Sequence, residues 1–391
     1  MADGGAALTA RTVSSIDEID ARTWDALANP KAESDAGPPW LYNPFVSHAF
    51  LSALEASKSV APEAGWAPSH LVLEEDGAVV GAAPIYAKGH SQGEYIFDHH
   101  WADAYARAGG RYYPKLLCAA PFTPVPGPRL LAPSPSARLN LALALRQIAG
   151  RMGVSSAHVN FVTEDDHDLL GQAGYLSRIG EQYHWFNRGY ETFDDFLAAL
   201  SSRKRKAVRR ERREAVADGL VVRRLIGAEI EERHWDAFWL FYQDTGARKW
   251  GTPYLIRTFF RLIAERMADD LLLIVAERDG APIAGALNFI GGDALYGRYW
   301  GCTEDVPFLH FEICYHQAVE FAIERRLARV EAGAQGQHKI ARGYEPVPIR
   351  SAHWIENDGF REAVARYLED ERDHAGAEIE ALKDFTPFRK S

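Results

Sequence analysis

The 391-residue sequence predicts a mixed α/β fold made of two tandem copies of one lobe, each a mixed β-sheet flanked by helices. Three blocks that recur in the same order carry that prediction. EIDARTWDAL (18–27) returns as EIEERHWDAF (229–238), with six of ten positions identical. EEDGAVVGAA (74–83) returns as ERDGAPIAGA (277–286) with one residue inserted. Gly174-Tyr175 precedes His184-Trp185 with eight residues between them, and Gly343-Tyr344 precedes His353-Trp354 likewise with eight between. One such match arises by chance; three in one order mark an internal repeat.

Each element follows from local pattern. A Trp-containing helix opens each copy, because Ile19, Trp24 and Leu27 recur near a period of 3.6. A second helix follows (FVSHAFLSALEAS; YLIRTFFRLIAERM). Asp-Gly between alternating apolar runs then marks a hairpin in both copies, HLVLE-EDG-AVVGAAPIY and LLLIVAE-RDG-APIAGALNFI. Another strand is expected around YIFD and around ALYGRYWG. A long helix, a short apolar strand (AHVNFV; ARVEAG), a short helix reaching Gly-Tyr and a last strand with His-Trp complete each copy. Interleaved helices and strands after a meander imply a mixed sheet with helices on its faces. The boundaries read as 12–188 for the N-terminal lobe, 189–357 for the C-terminal lobe and 358–391 for a terminal amphipathic helix and tail. That helix carries Phe360, Val364, Tyr367 and Leu368 on one stripe. The proline-rich stretch 109–130 has no counterpart and reads as an ordered loop insertion. The first ten residues, MADGGAALTA, read as untethered.

Composition narrows the function. A formal charge of −10 and a pI near 5.8 do not suit a protein that wraps nucleic acid over its whole surface. Cys118, Cys302 and Cys314 form no CxxC pair and have no zinc-type partner spacing, so neither a disulfide scaffold nor a metal site is expected. The N-terminus lacks the apolar run of a signal peptide. The longest strongly apolar run, LLLIVA (271–276), is strand-sized. A cytoplasmic, soluble protein is the expectation.

The segments SRKRKAVRRERREAVADGLVVRRL, FWLFYQDTGARKWGTPYLIRTFFRLI and LLLIVAERDGAPIAGALNF resemble the GNAT-superfamily acyltransferases of Fem type, as does the run from Tyr296 through LHFEICYHQAVEFAIERRLARVEAG to HKIARGY. The resemblance, to the FemAB-like group, covers nearly the whole chain. It implies two GNAT-like lobes and N-acyl transfer to an amine of a small or cell-wall-precursor-like acceptor. A pyrophosphate loop of the Q/R-x-x-G-x-G/A kind is incomplete: QDTGAR (243–248) and RLIGAE (224–229) each fail at the last position. No counterpart of the long helical arm of some Fem-type transferases is visible.

Internal comparison picks out the second copy. Leu169, Leu170 and Ala173 stand where the second copy has His338, Lys339 and Arg342. A fold requirement would place cations in both copies; a drifted, solvated helix face is the alternative. In Fem-type proteins the matching position is a Phe-Lys pair, which His338-Lys339 resembles. An ammonium there would stabilise the oxyanion of a tetrahedral intermediate or hold a phosphate. Lys339 and Glu331 are the catalytic candidates, Glu331 as proton acceptor. The substrate-binding candidates are His338, Arg342, Tyr344, Arg298, Trp300, Asp98, Trp101 and Asp103. The aromatic-acidic segment DHHWAD (98–103) suits a substrate-lining loop better than a metal site, since adjacent histidines on a strand point opposite ways. RKRKAVRRERR (203–213) has eight cations and one acid. It reads as a solvated basic helix or, through Arg209, Arg210 and Arg213, as a contact for phosphates of RNA or a nucleotide-linked substrate. Acyl-CoA is the preferred donor, needing only a small local site; aminoacyl-tRNA is the alternative donor. An inactive module that binds RNA or a nucleotide-linked ligand is the alternative function.

Overall fold

The computed structural model describes residues 8–30, 41–249, 253–333 and 336–389, the side chains of 247–249 excepted. Residues 1–7, at the start of the chain, and residues 334–335, just ahead of Lys339, lie outside the described residues. The chain divides into two compact units. One comprises Met1–Gly180 with Pro348–Gly376, the other Glu181–Val347 with Ala377–Ser391.

Fourteen strands are described. In chain order they are β1 (Leu8–Val13), β2 (Trp66–Pro68), β3 (His70–Glu75), β4 (Ala78–Ala83), β5 (Ile85–Lys88), β6 (Lys115–Cys118), β7 (Ser156–Val162) and β8 (Leu176–Phe186). Then follow β9 (Val221–Ile226), β10 (Leu271–Arg278), β11 (Ala281–Ile290), β12 (Ala294–Cys302), β13 (Arg329–Glu331) and β14 (Glu345–Ile355). In the first unit the order is β1-β3-β4, then β2-β5-β6-β7-β14. In the second it is β8-β13-β12-β11-β10-β9. Read from β9, the second order β9-β10-β11-β12-β13-β8 corresponds to β1-β3-(β4, β5)-β6-β7-β14 of the first unit. β4 and β5 together take the place of the single long β11, and β2 is an additional strand beside β5. Both hairpins turn through Asp-Gly with both residues left-handed: Asp76 (φ 50°) and Gly77 (φ 83°), Asp279 (φ 51°) and Gly280 (φ 78°). That is the type I′ geometry whose twist matches a hairpin.

The expected boundaries at 188/189 and 357/358 are corrected by this pairing. β14, the last strand of the second copy, pairs antiparallel with β7, with His353 opposite His158. β8, the last strand of the first copy, pairs antiparallel with β13, with His184 opposite Glu331. Each copy thus gives its His-Trp strand to the other unit. Tyr175 accordingly packs against Trp354 (ring centroids 6.4 Å apart) in the first unit's core. Tyr344 and Trp185 share the core of the second. The helix Asp358–Lys383 is also divided, at Gly376; Val364 and Leu368 of its stripe are buried, while Tyr367 is exposed.

Three further expectations change. Leu8–Val13, in part within the segment read as untethered, is an edge strand on β3. YIFD is not a strand; the strand of that position is β6, inside the segment read as a loop, where four buried residues sit just ahead of the prolines. His99–Arg107 is a helix with Asp98 as N-cap. In the second unit the helix Glu232–Lys249 lies directly on β12. A Cβ on Gly301 would come 2.1 Å from the Phe241 carbonyl oxygen, so only glycine admits this approach. Among the described residues no helix is long and apolar enough to cross a membrane.

Candidate active site

The site grows from the place where two parallel strands of the second unit part. β13 pairs with β12 at Ala294, Leu295 and Tyr296 only, opposite Arg329, Val330 and Glu331. β12 continues along β11 to Cys302. Its edge beyond Tyr296 therefore leaves the ladder with β13. Leu287 pairs with Tyr299 and Asn288 with Gly297, so Arg298 is the extra residue of a β-bulge. Bulges of this kind re-aim backbone and side chains beside functional sites.

Glu331 ends β13 at this opening and is 3% exposed. Its Oε1 accepts from Arg329 Nε at 2.9 Å. Its Oε2 is buried without a hydrogen-bond partner among the described residues and lies 3.7 Å from His184 Nε2. Burial holds the His184 pKa below the usual imidazole range, against the pull of Glu331 and with the help of Arg329 and Lys339. A neutral imidazole thus stands beside an under-satisfied carboxylate. Such a group is costly to bury and marks a place where a donor belongs.

Lys339 sits on the short 3-10 helix Gln337–Arg342 and is 2% exposed. Its Nζ donates to the Gly333 carbonyl at 2.9 Å. Burial lowers its pKa to about 7; Cys314 opposes the shift and Arg298 adds to it. Near neutrality the side chain therefore exchanges between ammonium and amine. The alternative of a drifted, solvated helix face does not describe Lys339, which is enclosed.

The neighbouring candidates divide. His338 is exposed and its Nε2 lies 2.9 Å from the Tyr315 hydroxyl. Arg298 and Trp300 are half-buried on β12, with the Trp300 ring 5.0 Å from that of His310. Arg342 is a clamp. Its guanidinium lies 3.4 Å from the Phe311 ring centroid, bonds Glu211 at 2.8 and 3.1 Å, and donates to the His338 carbonyl. Those ties leave it little freedom to bind substrate. Tyr344 is fully buried in the core, edge-on to Tyr315, and is corrected from substrate contact to packing residue. A π-helical turn, Glu312–His316, carries Tyr315 and Cys314 to this region; such turns cluster at functional sites.

The basic segment forms the helix Ser202–Ala215. Arg203, Lys206, Arg210 and Arg213 are exposed and, at spacings of three and four, share one stripe. Arg210 lies 3.7 Å from Glu214, and Arg213 has no ion pair among the described residues. Arg209 instead pairs with Asp194 at 3.2 Å. Glu211 and Arg212 turn inward, Glu211 to Arg342 and His316, Arg212 to Glu312 and Glu320.

The remaining candidates lie in the first unit and join no open site. Asp98 is buried; burial opposes its ionisation, but the Lys115 ammonium at 2.5 Å wins and holds its pKa well below the carboxylate range. Lys115 also bonds Glu94 and Ser91, while Tyr112 donates to Asp98 at 2.7 Å. Trp101 is buried edge-on to His353, with ring centroids 5.0 Å apart, and Asp103 is exposed on the far side of its helix. The substrate-lining loop expected at 98–103 is thus a helix start whose Asp98 is tied into a buried ion network and whose Trp101 packs against His353. Among the described residues no three His, Cys, Asp or Glu side chains converge as metal ligands.

His184 was not foreseen as a site residue. His-Trp stood out only as a repeat marker, because the strand that brings it to Glu331 comes from the other copy. QDTGAR lies within the helix Glu232–Lys249, and RLIGAE ends β9 and enters a 3-10 turn, so neither forms a phosphate loop.

Comparison with known proteins agrees with this architecture. The crystal structure of FemX matches with a TM-score of 0.53 at 13% identity, over 89% of this chain and 98% of that one. The C-terminal domain of a putative lysylphosphatidylglycerol synthetase from Agrobacterium fabrum matches with a TM-score of 0.53 at 10% identity, over 91% and 97%. L-PGS from Bacillus licheniformis matches with a TM-score of 0.50 at 10% identity, over 86% and 99%. At these identities the likeness shows the fold, a mixed α/β pair of GNAT-like lobes. No curated protein matches the sequence. The FemAB-like family, described by peptidoglycan biosynthesis/recognition, matches residues 15–390. The chain belongs to the FemAB-like family.

Proposed function

We propose that the protein transfers an activated acyl group to an amine at the opening between β12 and β13. One observation carries this reading: the buried, unsatisfied Glu331 Oε2 beside a neutral His184, in a site that also encloses Lys339. As the amine attacks the acyl carbonyl, Glu331 takes its proton. The oxyanion gathers hydrogen bonds from the Lys339 ammonium and from N–H groups of the open β12 edge. Collapse of the intermediate forms the amide and breaks the carbonyl–sulfur or carbonyl–oxygen bond of the donor, and the departing thiolate or ribose alkoxide takes the proton from Glu331. The family description supports an amine on a cell-wall precursor as acceptor. A cytoplasmic setting fits donors that are made there.

Acyl-CoA is the first donor to test, since the loop at Gly333 and Gly336 supplies backbone groups at left-handed residues for a pyrophosphate. Aminoacyl-tRNA is a second reading favoured by the cationic stripe Arg203, Lys206, Arg210 and Arg213. A thermal-shift screen with CoA, acetyl-CoA and bulk tRNA at two salt concentrations separates them. A CoA-type ligand at 100 times its dissociation constant adds about 2.7 kcal/mol, with little salt dependence. tRNA binding weakens steeply with salt. Binding of either without amide formation points instead to a recognition module.

A further inference from the structure

The second unit has a separate cleft of roughly 370 Å³, bounded by Phe193, Asp194, Leu197, Arg209, Arg212 and Glu320. Its floor is apolar: Phe193 and Leu197 are 9% and 3% exposed. Its walls are charged with both signs, two arginines against two carboxylates. We propose that this cleft binds a small zwitterion, an amino acid or short peptide with free ammonium and carboxylate groups and an apolar side chain.

The hydrogen bonds support this choice of chemistry. Arg212 uses Nε and Nη2 on Glu312 and Nη2 on Glu320, and its guanidinium lies 4.5 Å from the Phe193 ring centroid. Its Nη1 has no acceptor among the described residues, so a fixed guanidinium keeps one edge for a ligand carboxylate. Arg209 meets Asp194 in a pair whose side chains are 59% and 79% exposed. Such a pair is held weakly and exchanges readily for ligand charges. Arg209 then turns to the carboxylate, and Asp194 and Glu320 to the ammonium. The lining charges cancel, which disfavours a simple anion or cation relative to a molecule carrying both. Phe193 and Leu197 supply the apolar contact that such small-molecule sites use. The cleft is not the β12–β13 opening, yet Arg212 ties it to Glu312, the first residue of the π-helical turn that carries Tyr315.

The test is calorimetric titration of the full chain with alanyl-leucine, N-acetyl-alanyl-leucine and alanyl-leucine amide. The inference predicts that the zwitterion binds at least about tenfold more tightly than either blocked form. Arg209→Gln and Glu320→Gln should each weaken it about tenfold, with unchanged melting curves confirming that the variants fold. Lys339→Met should leave it unaffected, which separates this cleft from the proposed acyl-transfer site. Equal binding of the blocked peptides, or no binding at all, overturns the inference. So does loss of binding in Lys339→Met with retention in Arg209→Gln, which would place the peptide at the other site.

Discussion

Lys339 and Glu331 concentrate the chemistry at the scale of single residues, and their burial makes definite predictions. Lys339→Met should lower turnover about 10²–10³-fold if the ammonium meets the oxyanion. Turnover of the wild type should then fall as pH rises through about 7, where the folded-state lysine loses its proton. Stability moves the other way. Between about 7 and the ordinary lysine value of 10.5, the unfolded chain holds a proton that the folded chain lacks, so this residue makes stability rise with pH. Lys339→Met removes that penalty; its melting temperature should exceed that of the wild type at pH 6, and the gain should vanish above pH 10.5. A variant that melts lower at pH 6 would show that Lys339 is a structural anchor through Gly333. Glu331→Gln keeps the shape and the Arg329 contact but removes the base, and turnover should fall about 10²–10⁴-fold. Lys339 was legible because Leu170 stands in its place in the first copy. Its burial was not, since a loop with two glycines and several charges looks solvated in one dimension. Tyr344 was misread for the converse reason: a phenol beside a site in sequence can still point wholly into the core.

Short and exchanged elements explain most of what the sequence hid. The hairpins were legible because Asp-Gly imposes a left-handed turn wherever it joins two apolar runs. β6 was hidden, being four residues long and followed by prolines. The helix at 99–107 was hidden because its aromatic and histidine content favours neither period. Gly301 lies in a foreseen strand and the Trp-containing helix over it was foreseen too, but their direct contact was not. Gly301→Ala should destabilise the fold by about 3 kcal/mol, since a backbone oxygen cannot yield as a side chain would; an unchanged denaturation midpoint would contradict that packing. The basic helix was legible as a helix, but its two faces became visible only through the inward turn of Glu211 and Arg212. Alanine at Arg203, Lys206, Arg210 and Arg213 together should flatten the salt dependence of any polyanion binding. An unaltered slope in a salt titration would remove this stripe from the interface.

The whole chain is organised by the exchange of its two His-Trp strands, and this sets what can fold alone. A fragment of residues 1–188 keeps β6 but lacks β14, leaving the wholly buried β7 unpaired along one edge. A fragment of 189–391 lacks β8 beside β13. Expressed apart, neither should give a cooperative melting transition, whereas co-expression should restore one; a cooperative fragment 1–188 would contradict the exchange. The repeat itself was legible, but repeat boundaries follow sequence similarity while unit boundaries follow hydrogen bonding, and here the two part company at one strand per copy. The exchange also places His184 opposite Glu331, so the proposed catalytic group depends on both copies. The most direct test of that group is the mass-spectrometric detection of amide product. Wild type, Lys339→Met and Glu331→Gln would each be incubated with acetyl-CoA or bulk aminoacyl-tRNA and a panel of primary amines. The account predicts product from one donor class with the wild type, and at least about a hundredfold less from each variant. Product formed at the wild-type rate by folded Lys339→Met and Glu331→Gln would contradict it.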